Sequence, residues 1–146
     1  MKETSDNRTF ESGATRDTSQ GKLDFEAILS PMVLLRYVQY MDKHKEQANG
    51  EMRPGDNWQQ GIPKDAYIKS GYRHFMDWWM LHRGVEGGIS EDIEEILCAL
   101  IFNAQGYLFE ILMEKSNTKR PGETMSPEMR RQFNEQMERM RRESQH

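Results

Sequence analysis

Apolar residues recur every three or four positions along the middle of this chain. Tyr67, Gly71, Phe75 and Trp78 form one stripe, and Ile68, Tyr72, Met76 and Trp79 form its neighbour. That spacing predicts a helix over Ala66–Arg83 with a broad buried face, capped by Asp65. The glycine-rich run Gly84-Val85-Glu86-Gly87-Gly88 breaks the period. Ile93, Leu97, Leu100, Ala104, Tyr107, Leu108 and Ile111 then resume it. They predict a second helix over Glu91–Lys115, capped by Ser90, with Glu91 and Asp92 at its positive end. An earlier helix is expected from Ser30-Pro31 to about Glu46, carried by Leu34, Leu35, Tyr37, Val38 and Met41. Pro121 and Gly122 break the chain, and Ser126-Pro127 starts a last helix. Its Met129, Phe133, Met137 and Met140 have coiled-coil-like spacing, the mark of an amphipathic tail that packs on a partner helix or subunit. The expected fold is all-α: a small bundle of three long helices with an N-terminal arm and a C-terminal amphipathic helix.

The remaining segments lack helical period. Residues 1–12 are polar, with only Phe10 to bury, and are expected to be disordered. Residues 13–118 form the expected helical domain, and 119–146 the tail. Gly21-Lys22 invites a P-loop reading, which fails because the upstream glycine is missing and Leu23 stands where a Mg²⁺-binding hydroxyl belongs. Two readings of the arm remain, a loop presenting Arg16 and Lys22 to an anion or a solvated segment. Residues 47–64 form a long irregular connection through Asn49-Gly50, Pro54-Gly55 and Gly61-Ile62-Pro63. Within it, Asp56-Asn57-Trp58-Gln59-Gln60-Gly61 combines an aromatic plate with amides suited to a base edge. A loop tryptophan packed on the core is the commoner use.

Composition narrows the class. The chain has 146 residues, enough for one domain. Its hydrophobic fraction of 36% and mean hydropathy of −0.92 are low, so a partner subunit completes the core or some residues lie outside it. A net charge of −4 gives no strong nucleic-acid signal, since duplex affinity rests on neutralised phosphates. Five arginines of the tail are interleaved with Glu128, Glu135, Glu138 and Glu143, which weakens that reading further. The single Cys98 lies in an apolar run and reads as a buried core residue, with a reducing cytoplasmic compartment as the expectation. Residues 1–20 have no apolar core of a signal peptide, and no run is read as approaching the ~20 residues that span a bilayer, so no membrane is expected.

One ridge of the Glu91–Lys115 helix stands apart. Asp92, Glu95, Ala99, Asn103, Gly106 and Glu110 follow at spacings of three or four, mixing acids with very small residues. Such a ridge leaves room for a metal-bound ligand or a closely packed helix. His74-x-x-Asp77 and Asp92-x-x-Glu95 are two pairs that could face each other across the hairpin, and oxygen-rich sets of this kind suit Mg²⁺ or Mn²⁺. The plainer alternative is an Arg73–Asp77 ion pair, a histidine satisfied by a carbonyl, and an acidic helix start. Zinc is disfavoured because His44, His74, His82 and His146 lack paired ligand spacing.

The order of motifs carries a resemblance. Gly13-Ala14-Thr15-Arg16-Asp17, Gly21-Lys22-Leu23-Asp24-Phe25, Ser30-Pro31, Asp56-Asn57-Trp58-Gln59-Gln60-Gly61-Ile62-Pro63, Arg73-His74, Glu94-Glu95 and Asn103-Ala104 follow one another. Together they resemble the phage dATP/dGTP diphosphohydrolase N-terminal-domain family, over Gly13 to about Glu114. The resemblance implies a helical enzyme akin to MazG-like nucleotide pyrophosphatases, which use Mg²⁺ held by carboxylates on two helices. It implies hydrolysis of a purine deoxynucleoside triphosphate to monophosphate and diphosphate in the host cytoplasm, by a dimer or larger homo-oligomer. In that reading Asp77, Asp92, Glu94 and Glu95 hold the metal, with Glu94, Glu95 and His74 as catalytic groups. Arg16, Lys22 and Arg73 neutralise the triphosphate, Asn57 and Trp58 take the base, and Asn103 orients a carboxylate or ligand. A family histidine falls at Ala99, and Ala48–Gly55 is a longer insertion than the family's Lys-Tyr-Gly. Those departures motivate the rival expectation, a non-catalytic helical interaction protein.

Overall fold

The structure is a computed structural model; it describes residues 7–18, 20–85, 87–116, 119–120 and 127–143. The starts expected at Ser126 and the break at Pro121-Gly122 lie outside these residues. The chain is mostly helical, with one two-stranded sheet and five α-helices among the described residues. It divides into two compact units, Met1–Val33 and Leu34–His146.

In the first unit, β1 (Asn7–Thr9) and β2 (Thr15–Asp17) form an antiparallel hairpin with Arg8 opposite Arg16. The sequence reading expected disorder up to residue 12 and an aperiodic arm after it. Three-residue strands are too short to show alternation, so this hairpin leaves no periodic signal in the sequence. Its reversal is held by Gly13, at φ +83°, whose N–H donates to the Phe10 carbonyl at 2.8 Å. A short helix α1 (Phe25–Ile28) follows, capped by the Asp24 carboxylate accepting from the Ala27 N–H at 3.0 Å.

The second unit is built on α3 (Lys64–His82) and α4 (Ile93–Lys115), an antiparallel pair. Lys64 at the start of α3 bonds Glu114 at the end of α4 at 2.6 Å. Both caps differ from expectation. Asp92, not Ser90, caps α4, because its extended backbone lets the carboxylate accept from the Glu95 N–H at 2.9 Å. Pro63 occupies the N-cap of α3, which leaves Asp65 in the first turn as a favourable negative charge.

The small residues of the α4 ridge serve helix packing. A side chain at Gly106 would collide with the Tyr67 ring, and one at Gly71 would touch the Asn103 Cβ at 3.4 Å. The two helices therefore approach closely at Tyr67–Gly106 and Gly71–Asn103. Tyr67 is almost wholly buried at this contact, as are Ile96 and Ala99 of α4 within the unit.

Helix α2 (Pro31–Lys43) runs into the second unit, where Tyr37 and Tyr40 pack with Cys98 and Ala99 of α4. Large tyrosines hold α2 at arm's length from α4. Burial pushes the Tyr37 and Tyr40 phenols up to about 12, and raises the Cys98 thiol as well. The connection after α2 is more ordered than its sequence suggested. The Gln47 N–H bonds the Glu51 carbonyl at 2.8 Å and the Arg53 N–H bonds the Lys45 carbonyl at 2.9 Å, with Glu46 bridged to Met52. Gly50, at φ +80°, makes the reversal. Asn49-Gly50 is a known hairpin dipeptide and was the available signal. A 3₁₀ turn at Asn57–Gln60 completes the connection.

Helix α5 (Pro127–Glu143) lays Phe133, Met137 and Met140 along a hollow shared with Met52 and Pro54 of the same chain. Those three side chains stay about half exposed. Helix α4 is also long and apolar enough, by length and composition, to cross a membrane, contrary to the reading that no run approaches that length. About a third of its apolar window is buried within the protein.

Candidate functional site

Glu94 and Glu95 at the start of α4 pair with α2, not with His74 or Asp77, while Glu91 and Asp92 line a hollow with Trp78 and His82 of α3. Arg36 donates from Nε to Glu94 at 2.9 Å and from Nη2 to Glu95 at 3.1 Å, and Lys43 Nζ reaches Glu95 at 3.4 Å. Partial burial alone would raise the Glu95 carboxyl, but the hydrogen bonds from Arg36 and Lys43 hold it below the usual carboxylate range. Arg36 is raised in turn by its two glutamates. Glu94 is mostly exposed, whereas the Glu95 side chain keeps 18% of its surface. The bridge is therefore anchored at Glu95.

On α3, Arg73 is exposed and makes no ion pair with Asp77 or any other described residue. The buried Nδ1 of His74 has no hydrogen-bond partner among the described residues. The Asp92 carboxylate is occupied as a helix cap. Among the described residues no three His, Cys, Asp or Glu side chains come together as a metal-holding group. The donor chemistry suits a hard cation, but here Arg36 and Lys43 occupy both Glu95 oxygens and one Glu94 oxygen. The expected cluster of Asp77, Asp92, Glu94 and Glu95 is not assembled here.

Asn103 is also placed differently from expectation. It is 6% exposed and its Nδ2 donates to the Ala99 carbonyl at 2.8 Å, one turn back on its own helix. Its Cβ side forms the seat for Gly71, so it belongs to the helix contact. Arg16 lies on β2, and Lys22 follows in the turn before α1, both exposed in the first unit.

The Asp-Asn-Trp segment gathers the groups that sequence reasoning missed. Trp58 packs edge-on against Phe109 at 4.9 Å and against Phe102 at 6.5 Å between ring centres. It anchors the connection to α4, as loop tryptophans commonly do. Asn57 and Trp58 nonetheless line one hollow of about 220 Å³ with Tyr40, His44, Lys45 and Arg53. Tyr40 and His44 meet edge to face at 4.2 Å. Burial lowers the His44 pKa, with Glu95 and Glu91 opposing and Lys43 and Arg53 assisting, so all four charges act on this imidazole. Lys45 is paired with Asp42 at 2.7 Å, whereas Arg53 has no carboxylate partner among the described residues. The loop hairpin is what brings Arg53 beside Lys45, since the two residues share a backbone hydrogen bond. The hollow thus joins cations, an amide and aromatic edges within electrostatic reach of Glu95.

A second polar group was also missed. Glu110, at the end of the α4 ridge, is 6% exposed and is held by Arg120 through two bonds of 3.1 and 2.7 Å. Arg120 also donates to the Gln59 carbonyl at 3.1 Å, tying the Asn57–Gln60 turn to α4. The ridge acid at 110 is structural. Comparison with protein-family models, curated proteins and solved structures returns no match for this chain, so the motif order is the support for any family reading.

Proposed function

We propose that the chain binds a purine deoxynucleoside triphosphate, dATP or dGTP, at the Asn57–Arg53 hollow and hydrolyses it to the monophosphate and diphosphate, in phage nucleotide metabolism in the host cytoplasm. One observation carries the reading: two residues of the most specific motif, Asn57 and Trp58, line the same hollow as His44, Lys45 and Arg53. The hollow holds one end of a nucleotide, since whole-ligand sites run to ~300 Å³ or more. Arg53, with Lys45 and Lys43 nearby, is suited to neutralise phosphate charge. The Asn57 amide offers both a donor and an acceptor to a base edge.

The triphosphate is itself a Mg²⁺ ligand, and the ion enters as part of that substrate. Magnesium at such sites is commonly held by one or two carboxylates plus substrate phosphates rather than by a dedicated protein cage. Glu95, whose charge acts on His44 of the hollow, is the acid we assign to that role. Lys43, which bonds Glu95 and acts on His44, is suited to pair with the added phosphate charge instead.

The rival reading is a non-catalytic helical interaction protein. It is favoured by the pairing of Glu94 and Glu95 with cations of α2.

Thermal melts with each of the four dNTPs test the binding step. At a hundred dissociation constants of ligand, stabilisation of ~2.7 kcal/mol is expected, which raises Tm by several degrees. Arg53→Ala and Asn57→Ala are expected to abolish that rise without lowering the ligand-free Tm by more than about a degree, both being surface or loop side chains. A rise with no dNTP, or an equal rise in both variants, contradicts the assignment.

A further inference from the structure

Helix α5 turns a polar side toward the connection that follows α2. Among its described side chains, Asn134 and Glu138 are the partly buried ones, and they lie one helical turn apart. Phe133, Met137 and Met140 keep about half of their surface. All five line a cleft of about 660 Å³ that α5 makes with Met52, Pro54, Lys45 and Arg53. Lys45, Arg53, Pro54 and Gly55 also line the smaller hollow of Asn57 and Trp58. The helix therefore stands beside two cations of the candidate site.

Charge gives this arrangement its meaning. Lys45 is paired with Asp42 at 2.7 Å, whereas Arg53 has no carboxylate partner among the described residues. Glu138 meets Arg142 of its own helix at 4.0 Å, the outer limit of an ion pair. An unpaired cation and a loosely paired carboxylate thus share one cleft without bonding each other. We propose that α5 is an autoinhibitory gate, in which Glu138 opposes polyphosphate binding at Lys45 and Arg53, and a polyphosphate that binds there drives α5 off the cleft. The proposal rests on the reading that these cations take phosphate; it does not depend on which nucleotide carries the phosphate or on its cleavage.

Two features favour displacement over closure onto the anion. The first is the sign of the charge that α5 presents, since Glu138 and a polyphosphate repel each other within one cleft. Met52, Pro54, Phe133 and Met137 surround that cleft with apolar atoms, so charge is screened less there than in open water. The second is the grip of the helix. Its apolar stripe is half exposed, so the hydrophobic contact holding it is partial. Isolated helices near the 17-residue length of α5 are marginal in water, so docking keeps it ordered and release frays it. A modest change of charge in the cleft is then enough to shift α5 between docked and frayed.

Hydrogen exchange of the α5 amides in the full chain, with and without inorganic tripolyphosphate, is the test. In the wild type the anion is expected to speed α5 exchange at least about threefold, and Arg53→Ala is expected to remove that change. Glu138→Gln is expected to exchange faster than the wild type without anion and to bind tripolyphosphate at least about threefold tighter in titration. Met137→Ser, which loosens the apolar grip without adding charge, is expected to do both as well. Exchange in α5 that the anion leaves unchanged overturns the proposal, as does tripolyphosphate affinity equal in the wild type and Glu138→Gln. Slower α5 exchange with the anion overturns it in favour of a clamp that closes on phosphate. A Tm unmoved by every dNTP, with tripolyphosphate still loosening α5, ends the nucleotide reading and supports the gate. A Tm raised by dATP or dGTP, with α5 exchange unmoved, ends the gate alone.

Discussion

The Tyr67 ring occupies the space into which a side chain at position 106 would project. This contact sets how closely α3 and α4 approach. Gly106→Ala gains about 1 kcal/mol of helix propensity. It also forces the ring to move, and overpacking of a tight contact costs up to about 3 kcal/mol. The steric term wins, so urea unfolding is expected to show a net loss of about 2 kcal/mol. Tyr67→Leu in the same chain is expected to absorb part of that loss, and additive losses would contradict the contact.

The Arg120–Glu110 pair is the other tie between the connection and α4. Removing Arg120 strands a carboxylate that is 6% exposed. Arg120→Ala is expected to cost about 3 kcal/mol or more, the usual penalty for leaving a buried charge unpaired. Adding Glu110→Gln is expected to recover a clear part, because a neutral amide replaces the stranded charge. A smaller loss in Arg120→Ala than in Glu110→Gln with Arg120→Ala would contradict this role.

Glu95 governs acid behaviour. Its carboxyl lies below the ordinary 4.5 in the folded chain. The stability this confers is present above that ordinary value and is lost as pH falls through the lower, folded one. Denaturant midpoints between pH 6 and pH 3 are expected to fall in the wild type. Glu95→Gln is expected to be less stable at pH 6 and to fall less steeply.

At the alkaline end, Tyr37 and Tyr40 stand about 2 above the ordinary 10.0. Folding favours the neutral phenols, so their contribution is complete below pH 10 and is lost as pH rises toward 12. A shift of that size corresponds to roughly 2–3 kcal/mol for each ring. The Tyr37 hydroxyl is buried without a partner among the described residues. Tyr37→Phe is therefore expected to be neutral or to stabilise by about 1 kcal/mol at pH 7, since it removes an unsatisfied polar group. It is also expected to flatten the alkaline loss seen in unfolding curves from pH 9 to 11.

How far the sequence carried this picture follows from the kind of signal each element has. The long helices were legible because Tyr67, Phe75, Ile93 and Leu100 repeat at helical spacing over many turns. Their caps were less so, since Ser90 and Asp92 are both good cap residues and backbone geometry chooses between them. The ridge of small residues reads as a place of close approach, and at Asn103 and Gly106 the approaching body is α3, while Ala99 packs with Tyr37 and Tyr40 of α2. What spacing along one helix could not reveal was the partner of Glu94 and Glu95. Arg36 and Lys43 lie more than fifty residues away in the chain, and their meeting depends on how Tyr37 and Tyr40 seat α2. Arg53 was hidden within a connection read as irregular, although Asn49-Gly50 marked the hairpin that delivers it.

The most direct test of the enzymatic claim is diphosphate release from each canonical dNTP by the pure full-length chain with Mg²⁺, alongside Glu95→Gln and Arg53→Ala. The expected result is release from dATP and dGTP well above that from dCTP and dTTP, with both variants reduced at least tenfold. No release from any dNTP, in a protein whose melting is also unmoved by nucleotides, would contradict the claim and leave the helical interaction protein as the reading.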